Sequence, residues 1–472
     1  MAFYSLQAQF LVSAEKVGEV LIADNQNFLA SYDLELYKVI YNTVNVQGEP
    51  DIASGLMILP MNAADQCLPM AVVHHGTVNG RQDVPSRVTG HYELGTTFCG
   101  SGFIGVMPDL IGLGDSPGIH TYIHAETAAS ASLDMMRAVK EYCSASPINN
   151  LNDQVFITGY SQGGHTTMAN FKDLEENHPD EFNITAVAPM SGPYNISRTM
   201  VDFTLGDTEY GFSSYLAAVS LSMKAAYPDE LAEYTIETLF KEEFLEIIKR
   251  YENEEIGLGD LNDLLEEILM QTVGKITPKD MMTEAALADI INEGGIINQV
   301  LTQQNVHDWV PVAPMIMYYC TEDEQVTFEC SIVALEAMTA AGAENVTALD
   351  MGPLTHNGCV EPAIIDCLLW WIGLQEIQEN CITDVEDIFT YKAPLIIGSN
   401  ISSSEIEVYI QNSDKINKAK LSVISIQGEV IQQINSPQDY LDIDVSHLMS
   451  GMYFLNLTSD GQVLRTEKFV VD

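Results

Sequence analysis

The feature that most narrows the fold is a break in rhythm near residue 160. Gln154 to Thr158 (QVFIT) is a short, β-rich apolar run. It turns sharply at Gly159-Tyr160-Ser161-Gln162-Gly163-Gly164, and a helical pattern follows to about Glu176. A buried strand that passes straight into a helix is the unit of a mostly parallel sheet with helices on both faces. So tight a turn holds its central residue at strained dihedrals and pushes the Ser161 hydroxyl out above the sheet. Small residues two before and two after keep the neighbouring chain clear.

Other segments extend this pattern. Tyr32 to Pro60 alternates apolar and polar residues about Gly48-Glu49-Pro50-Asp51, which predicts an antiparallel hairpin. Pro69 to His75, Phe103 to Pro108, Thr185 to Pro189, Pro314 to Tyr319 and Val346 to Met351 predict further strands. His124 to Cys143 and Val360 to Ile377 predict helices. From about Arg198 to Asp308 the chain turns acidic and helical, as in Glu242 to Tyr251 and Leu261 to Met270. About 110 residues is domain-sized, and this stretch reads as a helical cap inserted between two strands. After Cys381 the texture becomes short strand-like segments: Glu405 to Ile410, Leu421 to Ile426, Glu429 to Ile434, Tyr440 to Val445, Met452 to Leu457 and Val463 to Val471. Turns such as Gln427-Gly428 and Ser459-Asp460-Gly461 separate them, which predicts a small all-β sandwich. The expected organisation is an α/β domain over residues 1–385, with the cap at 198–310, and a β domain over 386–472.

Composition excludes several classes. Hydrophobic residues make up 46%, enough for a large core. No apolar run reaches the length of a membrane-spanning helix. Twenty Lys+Arg stand against 67 Asp+Glu, a net charge of −47. Such a surface repels phosphate backbones, so no nucleic-acid partner is expected. The eight cysteines form no C-x-x-C pair, and they allow 105 disulfide pairings among which sequence cannot choose. Met1 to Lys16 has neither a basic n-region nor a long apolar h-region, so it does not read as a signal peptide.

The chemistry starts from Ser161. A serine hydroxyl is a poor nucleophile near neutral pH. It needs a base, and the base needs an orienting carboxylate. On a strand-to-helix elbow the chain order is Ser, then Asp or Glu, then His. Five histidines follow Ser161: His165, His178, His307, His356 and His447. His165 is on the helix after the elbow, His178 in a polar loop and His447 in the β module. His307 precedes the strand that should deliver the acid. His356, in a loop between the last strand and the last helix, is the candidate base. The acid should follow Pro314 to Tyr319, where Glu322, Asp323 and Glu324 are adjacent. Asp323 is chosen, with the other two as alternatives. An oxyanion hole needs two backbone N–H donors. Gln162 supplies one, and the loop after His74-His75-Gly76-Thr77 the other, from Thr77 or Gly76. His74 and His75 lack an acidic partner at ligand spacing, so no metal is expected, and no cofactor is needed.

Together these residues resemble the α/β-hydrolase superfamily, and within it the secretory lipases of the lipase A type with a helical cap. The resemblance covers roughly residues 30 to 380. It rests on His75-Gly76-Thr77, on Pro108-Asp109-Leu110-Ile111-Gly112-Leu113-Gly114-Asp115-Ser116, on the Ser161 elbow and on the long insertion before the acid strand. It implies a triad of Ser161, Asp323 and His356 acting on carboxylic esters of small molecules or lipids. Cys320 stands where a glycine is common in that family. The tail resembles the C-terminal sorting domains of the type IX secretion system, through Leu421-Ser422-Val423, Gly451-Met452-Tyr453-Phe454 and Lys468-Phe469-Val470-Val471. The Asn-Pro usual near the start of such domains is absent. This resemblance implies export by that machinery, a secreted or cell-surface location, and a signal peptide removed beforehand. The expected function is that of a secreted serine esterase or lipase. Peptide, polyester or polysaccharide-ester hydrolysis on the same fold, and a non-catalytic cell-surface binding protein, are the alternatives.

Overall fold

The computed structural model describes residues 10–24, 29–63, 66–145, 150–379, 395–397, 401–402, 404–410, 418–425, 430–438, 440–459 and 462–471. The chain divides into two compact units, Met1–Cys381 and Ile382–Asp472. The predicted turns at Gln427-Gly428 and Asp460-Gly461 lie outside the described residues.

The first unit is built on a ten-stranded sheet. Its strands are β1 (Leu11–Val20), β2 (Leu34–Val44), β3 (Pro50–Pro60), β4 (Gln66–His74), β5 (Ile104–Pro108), β6 (Asn150–Tyr160), β7 (Asn183–Met190), β8 (Met315–Tyr319), β9 (Val346–Asp350) and the short β10 (Gln378–Glu379). The order is β1-β2-β3-β5-β4-β6-β7-β8-β9, with β10 pairing to β4. From β5 to β9 neighbours run parallel, and β1, β2 and β3 form an antiparallel flank. The hairpin predicted about residue 48 is β2–β3, in register from Leu34 opposite Pro60 to Val44 opposite Pro50. β5 is buried at every position and β4 at all but its first. Central parallel strands are covered on both faces, so they read as unbroken apolar runs.

The helices are α1 (Tyr92–Cys99), α2 (Ala125–Ala145), α3 (Gln162–Asn177), α4 (Val201–Thr204), α5 (Ser213–Ala226), α6 (Ile236–Leu239), α7 (Glu242–Glu252), α8 (Leu258–Thr272), α9 (Glu284–Ile291), α10 (Ile296–Thr302), α11 (Glu329–Ala341) and α12 (His356–Leu374). α4 to α10 form the cap. It has its own core, in which Phe244 and Ile248 of α7 meet Leu261, Leu265 and Leu269 of α8. These residues recur at helical spacing in an otherwise acidic stretch, which is how a surface-rich insertion still folds. Among the described residues no helix is long and apolar enough to cross a membrane.

One expectation is corrected here. The last helix starts at His356, not at Val360, so His356 is the first residue of α12 and not a loop residue. The Thr355 side chain caps it by accepting from the Gly358 N–H at 3.2 Å. A threonine cap stabilises the first turn enough to draw the helix back to this point.

The second unit holds a sheet of β11 (Leu395–Ile397), β13 (Glu405–Ile410) and β16 (Tyr440–Asp444). A second sheet runs in the order β12 (Ile401–Ser402), β18 (Gln462–Val471), β17 (Gly451–Ser459), β14 (Lys420–Ser425) and β15 (Val430–Asn435). Ile406, Val408 and Ile443 of the first share one core with Leu421, Val423, Leu455 and Phe469 of the second. This is the expected sandwich.

Candidate active site

Ser161 sits between the end of β6 and the start of α3, at φ 61° and ψ −120°. A positive φ at a non-glycine residue is costly and persists only where the surroundings enforce it. Here the Ser161 N–H donates to the Met190 carbonyl at 2.9 Å, and the Gly164 N–H donates back to the Ser161 carbonyl at 2.8 Å. The flanking glycines are steric necessities. A Cβ on Gly159 would lie 2.4 Å from the Gly163 carbonyl oxygen, and one on Gly163 would lie 2.2 Å from that of His74.

The structure brings His356 and Asp323 together. His356 Nδ1 lies 2.7 Å from Asp323 Oδ2, with both side chains almost wholly buried. A carboxylate only accepts, so Nδ1 carries the proton and Nε2 is left with its lone pair. The other carboxylate oxygen of Asp323 accepts from the Gln325 and Val326 N–H groups at 3.0 and 2.9 Å. Glu322 is exposed. Glu324 has a separate role: its carboxylate accepts from the His356 backbone N–H at 3.0 Å. Tyr160 supplies a further restraint. Its hydroxyl donates to the His356 carbonyl at 2.6 Å, and its ring packs against the imidazole at 5.0 Å between centroids. Tyr160 adjoins Ser161 in the chain, so the elbow and the base helix are joined through this one side chain.

A covalent link completes the frame. Cys320, three residues before Asp323, is bonded to Cys359, three residues after His356. It ties the acid loop to the base helix directly. Removing it with Cys320→Ala/Cys359→Ala is expected to cost roughly 2–5 kcal/mol of stability, the usual range for a native disulfide. Chemical denaturation of the two forms measures this. The link, Tyr160 and the hold of Glu324 on His356 are not legible in the sequence as site features: each acts through a direction across the sheet that no local motif encodes.

The other histidines are engaged elsewhere. His165 Nε2 lies 2.8 Å from the Gln304 carbonyl, so it donates there. His307 Nε2 faces Asn195, His178 lies among Arg137, Asp173 and Glu181, and His447 is exposed in the second unit. His74 places its ring nitrogens 2.9 and 3.0 Å from the Thr167 and Ser132 hydroxyls, and those of His75 face the Gly76 and Asp109 carbonyls. Burial pushes His74 down to about 3, and His120, His124 and His165 to about 4, so these imidazoles are neutral. Among the described residues no group of three or more His, Cys, Asp or Glu could hold a metal.

Gln162 opens α3, where the first N–H groups have no partner within the helix. Its side-chain amide donates to His120 Nε2 at 3.0 Å. Thr77 follows Gly76, whose added Cβ would lie 3.3 Å from the Tyr160 carbonyl oxygen. From this floor a channel of about 110 Å³ runs into the cap. Ser161 and Gln162 line it together with Ile196, Val201, Leu205, Leu216, Val219 and Met223.

Comparison with known proteins bears on the family and the fold. Residues 96–365 match the model of a family described as secretory lipase, and residues 402–472 match that of a secretion system C-terminal sorting domain. A protein of Legionella pneumophila described as a hydrolase has a similar solved structure. It shares 26% identity at a TM-score of 0.66, over 77% of this chain and 97% of that one. The rice cell wall degrading esterase LipA of Xanthomonas oryzae is similar at 23% identity and a TM-score of 0.65, over the same shares. Candida antarctica lipase A is similar at 18% identity and a TM-score of 0.58, over 76% of this chain and 83% of that one. These neighbours share the α/β-hydrolase fold. No curated protein matches.

Proposed function

Because the chain belongs to the secretory lipase family and is a carboxylic ester hydrolase, we propose that it works through Ser161, His356 and Asp323 by an acyl-enzyme. The Ser161 hydroxyl attacks the ester carbonyl while His356 Nε2 takes its proton. Asp323 holds the ring by Nδ1 and stabilises the imidazolium. The oxyanion is received by the N–H groups of Gln162 and Thr77, where the N-terminus of α3 adds partial positive charge. The tetrahedral intermediate collapses and His356 protonates the leaving alcohol. Water then repeats the sequence on the acyl-enzyme. The observation that carries this reading is the 2.7 Å contact between His356 and Asp323, taken with the strained elbow at Ser161. The C-terminal unit is proposed to hand the chain to the type IX export machinery, which makes the enzyme secreted or surface-bound.

The channel gives the substrate a shape. Its walls are mostly apolar and it is small, about 110 Å³ against the roughly 300–1,000 Å³ usual for ligand pockets. A linear acyl chain fits such a space and a branched one does not. Hydrolysis of p-nitrophenyl butyrate is expected to exceed that of the trimethylacetate by at least about tenfold in kcat/KM, the scale on which a hydrophobic pocket discriminates. A series from acetate to palmitate then finds the length at which the rate peaks. A fluorophosphonate should label Ser161, located by peptide mass. Folded protein that neither labels nor turns over any ester would sink the proposal.

A further inference from the structure

Tyr215, on the cap helix α5, stands over the gap between two catalytic loops. Its hydroxyl lies 2.9 Å from the Gln325 side-chain Oε1. An amide oxygen only accepts, so the phenol is the donor. Its ring packs against that of Tyr122 at 6.0 Å between centroids. The Tyr122 hydroxyl in turn lies 2.9 Å from Thr77 Oγ1. Tyr215 thus reaches the acid loop at Gln325 by its hydroxyl and the oxyanion loop at Thr77 through the Tyr122 ring. Burial holds the Tyr215 phenol up at about 12, so it stays a donor throughout the working pH range.

Both loops so reached matter to the chemistry. Thr77 carries the proposed oxyanion N–H. Gln325 donates its own N–H to Asp323. A second cap residue, Tyr210, grips the same spot by donating to the Gln325 carbonyl at 2.8 Å. The oxyanion loop is also pinned to the cap further along. The Asn79 carbonyl accepts from the Leu258 N–H, and Arg81 pairs with Glu254 at 2.9 Å. We propose that Tyr215 is a positioning residue through which the seated cap completes the active site, its hydroxyl fixing the acid loop at Gln325 and its ring bracing Tyr122, which holds the oxyanion loop at Thr77. On this view the cap is part of the catalytic frame as well as a wall of the acyl channel. The inference rests on the proposed roles of Thr77 and Asp323.

The test separates position from shape. Tyr215→Phe keeps the ring and removes the hydroxyl. It is expected to lower kcat by about tenfold on every acyl length, with KM changed by less than about twofold, since small displacements of catalytic groups cost that much. Thr77→Val should lose a similar factor and Thr77→Ser should restore most of it. The pair Tyr215→Phe/Gln325→Met should be no worse than either alone, because both break one hydrogen bond. If Tyr215→Phe does not fold, Gln325→Met removes the same link from the acid side and should show the same loss. A kcat within about twofold of wild type, or a loss confined to KM that grows with acyl length, would overturn the proposal and leave Tyr215 as channel wall. If Ser161→Ala kept its activity, the reading of the site itself would fall first.

Discussion

Ser161→Ala is expected to lower kcat on p-nitrophenyl butyrate by roughly 10⁴- to 10⁶-fold, the cost of removing a triad nucleophile. The loss should come without a change of fold. Alanine fits the space of serine, and the φ of 61° is imposed by the backbone contacts at Met190 and Gly164, not by the hydroxyl. A small residue of activity should persist, because the N–H groups at Gln162 and Thr77 would still favour a developing oxyanion. The melting temperature measured alongside kcat distinguishes lost chemistry from lost structure. Activity retained above that residue would move the nucleophile elsewhere.

The second large effect is expected at Asp323. Asp323→Asn should lower kcat by about 10⁴-fold. The carboxylate is what requires a proton on His356 Nδ1. An amide turned nitrogen-first toward Nδ1 selects the other tautomer and leaves Nε2 with no lone pair for the serine proton. Glu324→Gln is the informative control. Its side chain accepts from the His356 backbone N–H, which an amide oxygen can still satisfy. Its loss should stay within roughly tenfold. If the two variants ranked the other way, the acid would be Glu324, and the adjacent-carboxylate ambiguity of this loop would be resolved against Asp323.

That ambiguity shows where the sequence is a good guide and where it stops. The elbow is legible because its constraint is local: backbone atoms close by in the chain and on β4 forbid side chains at Gly159 and Gly163. The central strands are legible because burial on both faces leaves unbroken apolar runs. β1 is not. Its residues LVSAEKVGEV are mostly exposed and none is buried, and only pairing to β2 makes them a strand. α1 and α11 give equally little signal. α11 is buried only at Cys330, Ser331, Ala334 and Met338, small or flexible residues that leave a faint stripe. The choice of Asp323 over its neighbours comes from loop spacing and resemblance, while the distinct task of Glu324 depends on which way α12 begins. Tyr160 reads in sequence as the variable position of the elbow. Its hold on His356 emerges only when β6 and α12 are set side by side.

The cysteines left unpaired have a consequence of their own. Cys99, Cys143, Cys330 and Cys367 are free and buried, alongside the Cys320–Cys359 bond. Burial pushes Cys143 and Cys330 up to about 12, and Cys99 and Cys367 well above the ordinary thiol range. Exchange between thiols and disulfides proceeds only through the thiolate. At such acidities the reactive form is on the order of one part in ten thousand or less near pH 8. Shuffling therefore stops when the chain folds. A wrong pairing can be proofread only while the polypeptide is still open. A correctly paired molecule keeps its pattern in air without added reductant.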